Sequence, residues 1–387
     1  MGSTTTKGCS RRSFMRSAAC GVAAVAALPR RAAWGQTEPA ARKLGWALVG
    51  LGSLSRGQLI PALEKTKFAR LAGVVSGHEE KGTAVAQKFK LDPKHFYNYE
   101  TFDRIADDPD IAVVYIVLPN SMHAEFTIRA AKAGKHVFCE KPMAMSVAEC
   151  RQMIDACKAA GKQLAIAYRM QYEPHLIEAR RLCRDGAIGQ ITHISSVNGF
   201  DIGSGGWRLN KKLSGGGALV DIGIYSLNAA RFVIGHEPAE VSATIQAAPN
   251  DPRFKEVDAA MDFSLKFPGG VVADCKTSYN ANLGSHLHIE GDKGSIDMLP
   301  AFFYWGNVLS ITRSGKREVI NLPAGDQFAA EMDDFSQCIS ENKPSRTPGE
   351  EGLKDMQVIE ALYRSAAENK PVVLHAAGST APSPPSR

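Results

Sequence analysis

The sequence predicts an α/β domain built on a doubly wound parallel sheet, followed by an α+β domain built on an antiparallel sheet. Three observations predict it. Between residues 44 and 167, short apolar strands alternate with helices, the pattern of successive βαβ units. Residues 111–118 form an unbroken apolar run rich in β-branched side chains, as expected of a strand buried on both faces. Beyond residue 190 strands dominate. In the run 259–267, Met261, Phe263, Leu265 and Phe267 alternate with polar or small residues, so one face is buried and the other wet.

The first strand is 45–49. The turn Gly50-Leu51-Gly52-Ser53-Leu54-Ser55 follows it, then a helix over 58–66. Strand 69–76, helix 81–89, strand 111–118 and helix 123–133 come next. Strand 136–139 ends at Glu140-Lys141-Pro142, and helix 147–160 and strand 163–167 complete the parallel sheet. The second domain holds strands at 191–198, 241–247, 259–267, 270–278, 285–289, 295–298, 308–312 and 318–320, and helices at 327–341 and 349–368. The chain therefore divides into a leader (1–35), a linker (36–43), a nucleotide-binding domain (44–168) and a second domain (169–374) that includes the helices within 327–368. Residues 375–387 read as a disordered Ala/Ser/Pro-rich tail.

The leader predicts the compartment. Ser10-Arg11-Arg12-Ser13-Phe14-Met15-Arg16 precedes an apolar stretch over 18–28, too short to anchor the chain in a bilayer, and small residues follow at 32–35. This is a twin-arginine export signal. It predicts passage through the twin-arginine translocase in the folded state, a periplasmic address and a cofactor captured before export. The net charge of +6 comes from this leader: it holds six basic residues and no acid, which leaves 40 basic against 40 acidic residues elsewhere. Nothing in that balance fits a nucleic-acid binder. Six cysteines follow the leader without a CxxC pair and read as buried thiols. His286 and His288 share a strand face, but no third ligand is near in sequence, so no metal site is expected.

Two segments carry chemistry. In Gly50-x-Gly52-x-x-Ser55 the first glycine permits the tight turn. The second lets a pyrophosphate approach the backbone where the helix begins. An NAD site would place an acid at the end of the next strand. Here stands Ser76, with Lys81 five residues on, and that favours NADP. In the segment 213–225, Gly215, Gly216 and Gly217 precede a helix beginning near Ala218. That helix would put Asp221 and Tyr225 four apart on one face, an acid and a phenol suited to proton transfer. A tyrosine with a reference pKa of ~10 needs a nearby cation to act as base, and Lys141 is the candidate. Taken alone, this segment favours Tyr225 as a core aromatic with a satisfied hydroxyl.

Together the motifs resemble those of the glucose–fructose oxidoreductase, inositol dehydrogenase and MocA family. They are Gly-Leu-Gly, Ile-Val-Leu-Pro-Asn-Ser-Met-His (116–123), Glu-Lys-Pro-Met (140–143), Tyr-Arg (168–169), Trp-Arg (207–208), the Gly-Gly-Gly…Tyr225 segment and Pro-Gly-Glu-Glu-Gly (348–352). The likeness runs from about residue 43 to 374 and is strongest to the family's periplasmic branch. It implies a Rossmann domain and an open-faced antiparallel sheet that makes a homodimer or homotetramer. It implies Lys141, Tyr225 and Asp221 as catalytic residues. It implies cofactor contacts from Gly50, Leu51, Gly52, Ser53, Leu54, Ser76, Lys81, Leu118, Pro119, Asn120, His123, Glu140, Lys141, Arg169, Trp207 and Arg208. The activity implied is NADP-dependent oxidation of an aldose at C1 to a lactone, with a second sugar reoxidising the bound cofactor to give an alditol. Two alternatives stand beside it: an NAD(P)-dependent glycoside hydrolase of the same fold, and a non-catalytic sugar or nucleotide sensor. One departure is plain. The periplasmic branch carries a long proline-rich arm before its first strand, and here only about eight residues separate the leader from Leu44.

Overall fold

A computed structural model describes residues 43–374. The leader, most of the linker and the tail lie outside the described residues. Strands β1 (Leu44–Val49), β2 (Ala69–Val75), β3 (Phe96–Tyr97), β4 (Val113–Ile116), β5 (His136–Glu140) and β6 (Leu164–Ala167) form one sheet in the order β3-β2-β1-β4-β5-β6. Every pair in it is parallel. Helices α1 (Ile60–Lys65), α2 (Glu79–Lys88), α3 (His123–Lys132) and α4 (Val147–Ala159) make the crossovers. All four residues of β4 are buried, which accounts for its uninterrupted apolar sequence. The strand order reverses between β1 and β4, and such a reversal opens a crevice at the strands' carboxyl ends. The two-residue β3 escapes sequence reading because it is too short to show a period.

The chain continues through α5 (Pro174–Arg184), β7 (Ile191–Gly199), α6 (Lys211–Ser214) and α7 (Ile224–Ile234). Strands β8 (Glu240–Gln246), β9 (Ala260–Lys266), β10 (Val272–Ser278), β11 (Gly284–Gly291), β12 (Gly294–Met298), β13 (Leu309–Arg313) and β14 (Lys316–Ile320) follow. Next are α8 (Gln327–Ser340), α9 (Gly349–Glu368) and β15 (Val372–Val373). Nine of these strands form a second sheet in the order β14-β13-β12-β11-β7-β10-β9-β8-β15. It is antiparallel except where β7 meets β10. The parallel pair has a topological cause: after β7 the chain makes α6 and α7, then meanders back through β8 and β9 and docks β10 beside β7. The stretch Lys211–Ile234 is long and apolar enough to cross a membrane by length and composition, yet 83% of its window is buried inside the fold. It is a core segment.

Helix α8, grouped with the second domain, packs on the first sheet. Phe335 lies 6.0 Å from Trp46 and 5.3 Å from Phe138 between ring centroids, and the Trp46 indole N–H donates to Ser336 Oγ at 3.1 Å. Aromatic pairs of this kind add about 0.5–1.5 kcal/mol each beyond their buried area. The sheet therefore recruits α8 from far along the chain, Trp46 and Ser336 lying 290 residues apart in sequence. Among the described residues all six cysteines are free; five are buried, and Cys338 is half-buried.

Candidate active site

A cavity of about 840 Å³ lies at the carboxyl ends of β1 and β4 and extends against the second sheet. The size suits a small-molecule or cofactor site. Its floor is the turn after β1. Gly50 has φ +95°, and a Cβ there would lie 2.3 Å from the Val117 carbonyl oxygen, so the position admits only glycine. A Cβ on Gly52 meets nothing within 4 Å; it would occupy open space where a phosphate can approach the backbone. Ser55 replaces the usual third glycine at no cost in packing. It is fully buried, and its hydroxyl donates to the Gly50 carbonyl at 2.6 Å, which ties the turn.

Leu51, Ser53, Leu54, Leu118 and Pro119 line the same end. Asn120 joins them and donates to the Ser214 carbonyl at 2.7 Å, linking the two halves of the site. Ser76 closes β2. Its oxygen accepts from the His78 N–H at 3.1 Å and its hydroxyl donates to the His78 carbonyl at 3.0 Å. Lys81, His78 and Tyr99 line the wall beside it, whereas Glu79 and Glu80 do not reach the cavity.

His123 is a correction. It is fully buried, does not line the cavity, and sets its ring nitrogens 2.9 Å from the Pro142 carbonyl and 3.0 Å from the Leu118 carbonyl. Burial lowers its pKa against those carbonyl contacts. It braces the loops after β4 and β5 and is not a cofactor contact.

The other end of the cavity brings Glu140, Lys141, Arg169, Trp207, Arg208, Asp221 and Tyr225 together. Lys141 Nζ donates to the Asp221 carbonyl at 2.7 Å and to Asp221 Oδ1 at 3.1 Å. Arg208 donates to Asp221 Oδ2 at 2.9 Å, and the Tyr279 hydroxyl donates to the same oxygen. Burial penalises the Asp221 carboxylate, but the charges of Lys141 and Arg208 and the Tyr279 hydrogen bond outweigh it and hold its pKa below the usual range. Burial likewise works against the Lys141 ammonium, and the neighbouring Tyr225, Asp221 and Glu140 outweigh it to raise its pKa. The pair stays ionised, so Asp221 is a fixed anion that orients two cations rather than an acid that gives up a proton. The expected helix near Ala218 opens as a wide π turn over Leu219–Gly223 before α7, and Asp221 spends its hydrogen bonds on Lys141, Arg208 and Tyr279.

Tyr225 sits between two cations. Lys141 Nζ is 4.8 Å and the Arg169 guanidinium 4.5 Å from its ring centroid, and Arg169 Nε donates to its hydroxyl oxygen at 3.3 Å. Arg169 is itself clamped by Gln327 Oε1 at 2.6 Å and the Phe302 carbonyl at 2.7 Å. The same guanidinium lies over the Tyr304 ring, 4.7 Å from its centroid. Burial pushes the Tyr304 hydroxyl pKa up.

Sequence reading missed Tyr304, Phe302, Phe303, Phe200 and Asn198, all of which line the cavity. The run Phe302-Phe303-Tyr304-Trp305 was the available signal: four aromatics in succession after a strand, of which Trp305 stays 71% exposed. The glycine run serves packing rather than a ligand. A Cβ on Gly217 would lie 2.0 Å from the Asp258 carbonyl oxygen, and the Gly217 N–H donates to Asp258 Oδ1 at 2.7 Å.

Comparison with known proteins agrees with this architecture. Residues 44–168 match the model described as "Oxidoreductase family, NAD-binding Rossmann fold", and residues 176–297 match the GFO/IDH/MocA C-terminal domain. An aldose-aldose oxidoreductase from Caulobacter crescentus, solved with glycerol, superposes with a TM-score of 0.84. It is 44% identical, over 86% of this chain and 100% of that one. The D-xylose 1-dehydrogenase [NADP(+)] of Haloarcula marismortui is 31% identical over 88% of this chain and 96% of its own length. A second NADP(+)-linked D-xylose 1-dehydrogenase, from Haloferax volcanii, is 28% identical over 85% of this chain and 99% of its own length. With both domain models matched in order and a relative of this identity spanning nearly its full length, the chain belongs to the GFO/IDH/MocA family of oxidoreductases.

Proposed function

We propose that the protein is a periplasmic NADP-dependent sugar oxidoreductase that oxidises an aldose at C1 to a lactone and passes the reducing equivalents to a second sugar, giving an alditol. The observation that carries the reading is the Tyr225 hydroxyl, set in the cavity with Arg169 donating to its oxygen and Lys141 over its ring. The likeness to an aldose-aldose oxidoreductase and to NADP-linked xylose dehydrogenases supports the substrate class. NADP, when bound, supplies the nicotinamide that accepts a hydride from C1.

The chain's own residues do the rest. Residues 50–54 would hold the pyrophosphate, and Ser76 with Lys81 would meet the 2′-phosphate. Tyr225, as phenolate, takes the proton of the anomeric hydroxyl. Lys141, held in place by Asp221, donates charge-assisted hydrogen bonds to sugar hydroxyls. Glu140, Arg208, Trp207 and the aromatic residues 302–304 line the same cavity, and those rings would offer an apolar surface to the sugar.

The closed cycle is tested directly. Untagged protein purified from the periplasm, given two sugars and no added nucleotide, should form lactone and alditol in equal amounts. Denaturing it should release NADP. Product formation only on addition of free NADP would leave a dissociating dehydrogenase and remove the two-sugar cycle.

Cofactor choice has its own test. Ser76→Asp should weaken NADP binding by ~2 kcal/mol or more, about 30-fold, because a carboxylate faces a phosphate. The turn should survive, since the new carboxylate can still accept from the His78 N–H. Equal NADP affinity in the two proteins would contradict the assignment. For the compartment, Arg11→Lys with Arg12→Lys should hold the protein in the cytoplasm in cell fractionation, and an unchanged periplasmic yield would remove the export route.

A further inference from the structure

The nine-stranded sheet turns one face to the helices and leaves the other wet. Along β11, Ser285, Leu287 and Ile289 are buried, while His286 and His288 between them point to the wet face. Along β12, Ile296 and Met298 are buried and Asp297 points the same way as the histidines. The strand register sets Asp297 directly opposite His288. The sequence shows two histidines without a third ligand; pairing β11 with β12 supplies it.

The three side chains converge on one point. His286 Nε2 lies 3.0 Å and His288 Nδ1 2.8 Å from the same carboxylate oxygen, Asp297 Oδ1. Different ring nitrogens are used, which lets two imidazoles two residues apart reach a common centre. Their ring centroids are 6.2 Å apart. Two imidazoles on one ion at Zn–N of ~2.0–2.1 Å place their centroids about 5–6 Å apart, so small side-chain movements suffice.

A second His/Asp cluster serves as contrast. At His95, Asp108 and Asp110 the carboxylates are already engaged: Asp108 accepts from the Tyr97 hydroxyl at 2.8 Å, and Asp110 pairs with Arg70 at 3.0 Å. At Asp297, among the described residues, the ion-pair partners are the two imidazoles and no lysine or arginine. In the single chain the three side chains are between 25% and 36% exposed.

We infer that His286, His288 and Asp297 bind one divalent transition ion of borderline softness, such as Zn²⁺ or Co²⁺. Two imidazole nitrogens and a carboxylate oxygen form an N₂O set that suits these ions better than the all-oxygen preference of Mg²⁺ or Ca²⁺. Three protein ligands leave a position for water. None of the three lines the cofactor cavity, so the site is independent of the proposed reaction.

The test uses full-length untagged protein stripped with a chelator and titrated with Co²⁺. The expected result is saturable binding of one Co²⁺ per chain, with the visible absorption of low-coordinate cobalt, reversed by one equivalent of Zn²⁺. His288→Ala and Asp297→Asn should each weaken binding by at least ~10–100-fold, the cost of losing even a residue that only hydrogen-bonds a ligand. His193→Ala removes a histidine from the same face, paired with Asp274, and should leave binding unchanged. Sugar oxidation should be unaltered in all three variants. Asp297→Asn keeps side-chain size, so it decides the matter if the alanine variant fails to fold. No saturable binding at micromolar metal, or binding that survives both ligand variants, overturns the site.

Discussion

Tyr225→Phe should lower single-turnover oxidation of an aldose by ~10²–10⁴, the usual cost of losing a general base. Nucleotide affinity should stay within a factor of a few of wild type. The substitution removes one oxygen and keeps the ring, which stacks on Phe302 at 6.1 Å and 22° and lies under Lys141 and Arg169. Packing therefore gives no reason for a loss of this size. Tyr304 supplies the internal control. It packs on the same guanidinium, and burial raises its hydroxyl pKa, which disfavours it as a base. Tyr304→Phe should cost less than ~10-fold. The measurement is the rate of reduction of enzyme-bound NADP after mixing with glucose or xylose. A Tyr225→Phe rate within a few-fold of wild type, or a larger loss at Tyr304, would remove Tyr225 from the chemistry.

What the sequence made legible follows from how local each signal is. Strands β1 and β4 are short, apolar and rich in branched residues, and their burial on both faces leaves no room for another pattern. The Gly50 turn and Lys141 at the end of β5 read clearly because strand, turn and helix lie within a dozen residues. The groups that hold Arg169 did not read, because they come from far along the chain. Arg169 meets Gln327 and Phe302, 158 and 133 residues on in sequence, and no spacing encodes that meeting. Asp221 misled for the same reason. Helical spacing pointed it at Tyr225, while the partners that set its charge come from Lys141, Arg208 and Tyr279 on three other segments. His123 stands at the end of a motif whose earlier residues do line the cavity, and only burial reveals that it faces the loop backbone instead.

Lys141→Met should abolish nearly all turnover by a different route, with a kcat loss of ~10²–10³, the scale seen when one preorganised donor is removed from a developing charge. Methionine matches the length of the lysine stem, so the wall of the cavity is kept and the ammonium alone is lost. Stability should also fall, because Asp221 then keeps only Arg208 and Tyr279 as partners. The sign of the pH dependence separates this loss from a packing defect. Folding holds the Asp221 pKa below its ordinary value of 3.8 through Lys141 and Arg208 against the penalty of burial. A carboxylate with a depressed folded-state pKa contributes stability that is present above the unfolded value and lost as pH falls through the folded one. The gap in Tm between wild type and Lys141→Met should therefore be largest at neutral pH and shrink below about pH 4. A packing defect would give a gap that does not change with pH. The double variant Lys141→Met/Asp221→Asn should recover part of the lost stability, since it removes the carboxylate left short of a partner, and recover none of the activity. A Lys141→Met enzyme with kcat within a few-fold of wild type, or a double variant less stable than the single one, would show that the ion pair does not position the ammonium for catalysis.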